Sequence, residues 1–185
     1  MSTAKASNGA LPDKPMHWLW LSILVVLLDQ VTKQAAESFL LLHKALAVMP
    51  GFNLTLMYNE GAAFSFLSQA GGWQRWFFIV LSSVISIALF IWLQQLQKSG
   101  AAQNQKILTA GIALILGGAV GNLIDRILFG HVIDFIQVYY ATLYWPAFNI
   151  ADSAITLGAG FLIIDMFQQH AREKNRAAKG ENKHG

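Results

Sequence analysis

Four apolar runs, each long enough to cross a bilayer, constrain this chain more than any other feature. A spanning helix needs about 20 mostly apolar residues. The runs are 17–36 in "HWLWLSILVVLLDQVTKQAAESFL", 75–96 in "RWFFIVLSSVISIALFIWLQQL", 107–128 in "ILTAGIALILGGAVGNLIDRIL" and 148–167 in "FNIADSAITLGAGFLIIDMF". Composition agrees: 12% of the residues are charged, about half the roughly 25% of a soluble domain. Mean hydropathy is +0.44. A chain of 185 residues has room for one domain. Its net charge of +3 is too weak a bias to argue for nucleic acid. With no cysteine, disulfides, thiolate metal sites and a cysteine nucleophile are excluded. The first run is read as a retained anchor, because Asp29 and Lys33 follow its apolar core and no small-x-small cleavage site appears.

Lysine and arginine positions set the expected topology. Lys5 and Lys14 precede the first run, Lys98 and Lys106 bracket the loop between the second and third, and Arg172, Lys174, Arg176, Lys179 and Lys183 fill the tail. The segment between the first two runs has Lys44 and, at its far end, Arg75; the segment between the last two has neither residue type. Both termini and the middle loop are therefore expected in the cytoplasm, and the other two connections outside. The expected division is a flexible cytoplasmic N-terminus (1–15), a transmembrane domain (16–169) with an extracytoplasmic segment (37–74), and a basic, disordered cytoplasmic tail (170–185). In "GFNLTLMYN", Phe52, Leu54, Leu56 and Tyr58 alternate with Asn53, Thr55, Met57 and Asn59, the period of a half-buried strand. Beyond it, "GAAFSF" (Gly61, Ala62 and Ala63 onward) is small enough to let another chain approach closely.

Carboxylates stand out against this background. The third run travels outward, so Asp125 lies near its outer end. Asp134 follows in the outer connection or a short re-entrant piece. Asp152 lies in the first turn or two of the fourth run. Asp29 is about 18 Å along the first run at 1.5 Å per residue. Four aspartates thus gather near one depth, at the outer boundary of the lipid. An ionisable residue within a span costs at least about 2.5–3.5 kcal/mol on insertion scales and points to function. Asp165, near the inner end of the fourth run, is expected to reach solvent. Asp29 shares a helix face with Lys33, four residues on, so a structural ion pair and a direct substrate role are both open. Asp125 has Arg126 beside it and Asn122 one turn back, as a structural polar cluster would. Asp134 and Asp152 have no adjacent cation, and Asn149 precedes Asp152 by three residues, so amide and acid share one face if the helix has begun there. These two acids are the first choice for chemistry.

Two close carboxylates cannot both ionise cheaply, so they share a proton. One then serves as general base toward water and the other as general acid toward the leaving nitrogen. This chemistry needs no metal, thiol or serine. No G-x-S-x-G surrounds Ser153. His131, three residues before Asp134, is a weak metal signal and reads better as a polar residue at the lipid boundary. The tryptophans fall near the ends of the runs, where aromatic belts sit. "LGGAVG" and "LGAG" suit close helix packing.

The ordered motifs "DQVTK", "YNEGAAFS", "GGAVGNLIDR", "HVIDF" and "FNIADS" closely resemble the bacterial lipoprotein signal peptidases, or signal peptidase II family. The resemblance covers the chain from the first run through the fourth. It implies an all-α membrane protein of four transmembrane helices, with a small extracytoplasmic β-sheet and a short mobile helix over the site. It implies an aspartyl endopeptidase, with no cofactor, of the bacterial cytoplasmic (inner) membrane. Such an enzyme removes the signal peptide from prolipoproteins already carrying diacylglyceryl on the cysteine that becomes residue one. By resemblance Asp134 and Asp152 are the catalytic dyad. Asn59, Gly61, Asn122, Arg126 and Asn149 surround the substrate or support the site, and Asp29, Lys33 and Asp125 support shape. Cyclic peptide antibiotics such as globomycin are implied inhibitors.

The main rival reading is a small proton- or ion-coupled transporter, which also uses intramembrane acids. It would usually show inverted repeats and acids near the midplane, and neither is legible here. A non-enzymatic assembly factor with a buried polar cluster is a second rival. A presenilin-like peptidase is a third, but no "GxGD" occurs.

Overall fold

The computed structural model describes residues 16–61 and 73–181. Its long helices are α1 (Met16–Phe39), α2 (Trp73–Lys98), α4 (Lys106–Leu128) and α5 (Ile150–Glu181), with a single turn, α3 (Ala101–Asn104), between α2 and α4. Each of the four is long and apolar enough to cross a membrane. Trp20, Leu24 and Val31 of α1 and Trp76, Val80, Val84 and Ile87 of α2 point out of the protein, as side chains facing lipid do. α4 is the centre of the bundle: 56% of its spanning window is buried, against 28%, 17% and 22% for α1, α2 and α5.

Small residues make that centre possible. A Cβ on Gly117 would come within 2.7 Å of Val25 Cβ, and one on Gly158 within 2.6 Å of the Gly111 carbonyl. At Gly118 it would collide with the Ala151 carbonyl oxygen and approach Ile155 Cγ1 to 2.7 Å. Helix backbones therefore touch where glycine removes the side chain, the way helices associate when lipid gives no hydrophobic drive. Gly118→Val is expected to cost about 1–3 kcal/mol by overpacking, read as a lower Tm in detergent. An unchanged Tm would contradict the close approach.

The α1–α2 and α4–α5 connections leave the bundle at the same end and meet in one antiparallel sheet. Its strands, β1 (Ala45–Met49), β2 (Phe52–Asn59), β3 (Val132–Tyr140) and β4 (Leu143–Tyr144), lie in that order. Pro50 and Gly51 join β1 to β2; Gly51 has φ +86°, as the third residue of a type II turn requires. The strand expected at 52–59 forms, but its faces are not the simple alternation read from sequence. Asn53 and Thr55 are buried with Leu56, and the register with β3 slips between Leu54 and Met57. A bulge changes the phase of the strand there. Thr55 turns inward where it finds a partner, donating to Gln137 Oε1 at 3.0 Å.

Several expectations need correction. Asp134 lies in the connection between α4 and α5, the first of the two places expected, where it is part of β3 and not of a re-entrant piece. The fourth run begins its helix at Ile150, not 148, and α5 continues to Glu181 through residues expected to be disordered. Ala, Arg, Glu and Lys dominate that extension, and all are good helix formers. Asp165 does not reach solvent: it is 7% exposed and accepts from Gln169 Nε2 at 2.6 Å. The N-terminus expected to be flexible (1–15), Ala62 and Ala63, and residues 182–185 lie outside the described residues. Within 37–74 the described residues carry β1 and β2, and the expected short helix is not among them.

Candidate active site

β3 and the start of α5 bring Asp134 and Asp152 to one place, and Asn149 ties them together. Asn149 is the residue before α5, in the N-cap position. Its Oδ1 accepts from the Asp152 backbone N–H at 2.8 Å, while Asp152 Oδ2 accepts from the Asn149 backbone N–H at 3.3 Å. This reciprocal capping box satisfies orphan donors at the helix start and fixes Asp152 in the first turn. The Asn149 Nδ2 group donates to Asp134 Oδ1 at 2.7 Å. The shared face expected if the helix had begun by Asn149 is replaced by a cap, with Asn149 one residue outside α5.

Each carboxyl has a second amide. Asn59, at the end of β2, donates from Nδ2 to Asp134 Oδ2 at 3.1 Å and accepts from the Gly61 N–H at 3.1 Å. Asn122 on α4 donates from Nδ2 to Asp152 Oδ1 at 2.8 Å. Asp134 is 2% exposed. Burial pushes its carboxyl up to about 7, with the neighbouring Asp152 charge adding to the rise and the amides of Asn59 and Asn149 opposing it.

Beneath the pair lies a dry ionic cluster. Lys33, 0% exposed, bridges Asp29 Oδ2 at 2.7 Å and Asp125 Oδ2 at 2.8 Å, and donates to Asn122 Oδ1 at 3.0 Å. Asp29 Oδ1 accepts from the Ala151 N–H at 2.9 Å, so α1 caps α5. Asp125 Oδ2 accepts from the Ile133 N–H at 3.1 Å, so α4 holds β3 beside Asp134. Gln30 donates to Asp125 Oδ1 at 2.8 Å. The sequence pairs Asp29 with Lys33 and names Asp125, but it misses Gln30, whose only signal was its place inside "DQVTK".

Arg126 does not pair with Asp125 as its position suggested. It lies over the Phe78 ring, 5.2 Å from the centroid, and donates to the Asn122 and Gly61 carbonyls, each at 3.3 Å. Its buried Nε has no partner among the described residues. Arg75, read only as a stray outer cation, caps the end of α4 by donating to the Arg126 and Ile127 carbonyls at 3.2 and 2.8 Å. The His131 ring packs on Tyr58, centroids 4.1 Å apart. No group of three or more His, Asp or Glu side chains among the described residues is arranged to hold a metal.

Two clefts open beside the acids. One, of about 780 Å3, runs from Asn122, Arg126 and Asp152 along Trp145, Phe148 and Leu157. The other, of about 500 Å3, is more polar and reaches Asp134 past Glu60, Gln137 and Tyr144. Asn59 and the Trp145–Ala147 stretch border both.

The model of the family described as Signal peptidase (SPase) II matches residues 21–168. A lipoprotein signal peptidase of Acinetobacter baylyi is 51% identical over 186 aligned positions, covering 100% of this chain and 99% of its own. Another, of Pseudomonas putida, is 49% identical over 85% of this chain and 91% of its own. A solved bacterial membrane enzyme, determined by the in meso method at 2.3 Å resolution, superposes with a TM-score of 0.72 at 33% identity, covering 84% of this chain and 90% of its own.

Proposed function

Because the chain belongs to the signal peptidase II family, a family of bacterial membrane peptidases, we propose that it removes signal peptides from diacylglyceryl-modified prolipoproteins by a two-aspartate mechanism. The cut falls before the lipidated cysteine, at the outer face of the cytoplasmic membrane. The observation that carries this reading is the pair Asp134 and Asp152, both tied to Asn149 at the meeting of two clefts. One carboxylate takes a proton from water while the other gives one to the scissile amide. The unpartnered Arg126 Nε and the Asn59 amide are donors for the backbone of an extended substrate, where an unpaired carbonyl would be costly. The cleft running along Trp145, Phe148 and Leu157 suits acyl chains. Globomycin-like cyclic peptides are expected to compete for the same clefts. The reading is tested by incubating purified protein with a lipidated prolipopeptide: release of the signal peptide supports it, and an intact substrate contradicts it.

The mechanism has a pH signature. A dyad holding one proton needs that proton on a group that keeps it. With the Asp134 carboxyl pushed up to about 7 by burial, it is protonated below that pH and ionised above it. kcat/KM is therefore expected to fall about tenfold per pH unit on the alkaline side, starting near neutrality, as the general acid is lost. A flat alkaline profile in assays on the folded protein would contradict an acid on Asp134.

Orientation follows from the lysine and arginine bias. Both termini and the α2–α4 connection face the cytoplasm, and the sheet and the dyad face outward. Reporter fusions at residue 102 and at the C-terminus are expected to report cytoplasm. An external C-terminus would move the dyad to the wrong side.

A further inference from the structure

Lys33 makes one bond more than neutralising its two partners requires. Its ammonium has three N–H donors and no acceptor. Asp29 and Asp125 take two, at 2.7 and 2.8 Å. The third goes to Asn122 Oδ1 at 3.0 Å, a site that also accepts from Asn149 Nδ2 at 3.2 Å. A carboxamide has one accepting and one donating end. With its oxygen held by a group that can only donate, Asn122 must present Nδ2 on its other side, where Asp152 Oδ1 lies at 2.8 Å. Asp152 is also addressed by the Asn149 backbone N–H. Every contact described for its carboxylate thus brings it a donor. Asp134 also meets only donors, the amides of Asn59 and Asn149, but it is 2% exposed while Asp152 is half-buried, so a charge costs less on Asp152 and a proton is better held on Asp134. Turned over, the Asn122 amide would set an oxygen against Asp152, tolerable only if Asp152 held the proton.

We propose that Lys33 is a positioning residue that, by locking the Asn122 amide, makes Asp152 the base toward water and seats the shared proton on Asp134. The proposal rests on the peptidase reading above and deepens it by assigning the two roles. Water gives a proton to Asp152 as its oxygen attacks the scissile carbonyl carbon, and the Asp134 proton passes to the carbonyl oxygen, giving a gem-diol. The proton on Asp152 then moves to the amide nitrogen and the C–N bond breaks. Asp134 recovers a proton from one hydroxyl as the new carboxylic acid forms. Both aspartates end as they began. The charged groups around this path are Asp29 and Lys33 from α1, Glu60 beside the cleft after β2, Asp125 and Arg126 from α4, Asp134 from β3 and Asp152 from α5.

Lys33→Met alone leaves Asp29 and Asp125 facing each other without a cation, so it is expected to lose stability as well as rate. The informative variant adds Asp125→Asn, removing one charge of each sign. Its Tm is expected to recover part of what Lys33→Met loses, because the repulsion between two buried acids is gone while Asp29 still lacks a cation. Its kcat is expected to stay on the order of 10- to 100-fold low, less than the roughly 10²–10⁴ of losing acid–base help outright because both carboxyls remain, with KM nearly unchanged and the alkaline limb displaced. In an Asn122→Ala background the same pair is expected to cost little further rate, because both act along one path. A kcat per folded molecule that rises to the parent's as Tm recovers, or a full multiplicative loss in that background, would overturn the proposal. Should the pair not fold, infrared spectra of the dyad variants decide. The protonated-carboxyl band is expected to vanish in Asp134→Asn and persist in Asp152→Asn, and the reverse pattern overturns the assignment. Failure of the parent protein to cleave at all would contradict the peptidase reading instead, and the infrared pattern would still report where the proton sits.

Discussion

Asp134→Asn and Asp152→Asn are each expected to lower turnover by about three orders of magnitude or more while leaving the fold intact. Asparagine keeps the shape of the side chain and much of its hydrogen bonding, but it neither takes a proton from water nor gives one to a leaving nitrogen. General acid–base help alone is worth about 10²–10⁴, and losing one member of a shared-proton pair also removes the electrostatic coupling between them. Stability is expected to change little. An asparagine at 134 would accept from one of the two amides, Asn59 or Asn149, and set its own Nδ2 against the other, a loss offset by removing a buried carboxyl; residue 152 would keep its backbone N–H bond to the Asn149 cap. The ionic cluster below gives the contrasting control. Asp29 and Asp125 hold Lys33, Ala151 and Ile133 rather than either cleft. Their Asn variants are expected to lose Tm at least as clearly as rate per folded molecule. Turnover above a tenth of the parent's in either dyad variant would remove it from the catalytic centre. An Asp125→Asn protein that is stable yet fully inactive would bring Asp125 into it.

The second large effect concerns substrate. Diacylglyceryl-modified prolipoprotein is expected to be cleaved at least about 100-fold faster than its unmodified precursor, in kcat/KM, a modest part of what fixed positioning can supply. The acids sit where two clefts meet, and one of these is walled by Trp145, Phe148, Ile155 and Leu157. Acyl chains that stay in the bilayer would deliver the cysteine to the dyad at a fixed depth, raising the effective concentration of the scissile bond. A peptide lacking the lipid gains none of this. Both forms should be assayed side by side in the same detergent, with products weighed by mass spectrometry. Equal rates would mean that the lipid is not recognised.

The spans and the gathering of acids at one end were legible because each rests on a one-dimensional signal: apolar length, and the distance of a charge from a span's end. The Asp29–Lys33 pair was legible for the same reason, being one helical turn apart. Lys33 to Asn122 was not, since 89 residues separate them and nothing in either local sequence names the other. β3 escaped because "VIDFIQVYY" is apolar on both faces at its start, with Val132, Ile133, Asp134 and Phe135 all buried, so no alternation marks it. The phase of β2 was hidden by a bulge, which depends on the partner strand rather than on β2 itself. Asn149 carried a readable signal, the N-x-x-D spacing of a capping box. It was read as a pair on one helix face because the helix start was placed two residues early.

The central claim is that this dyad cuts one bond of one kind of substrate. The most direct measurement incubates the purified protein, in detergent with a chelator, with a diacylglyceryl-modified prolipopeptide and identifies every product by mass. The parent protein is expected to make a single cut, immediately before the lipidated cysteine, and folded Asp134→Asn or Asp152→Asn none. A cut at any other bond, an intact substrate after incubation with the parent, or the same cut by either variant would contradict that claim.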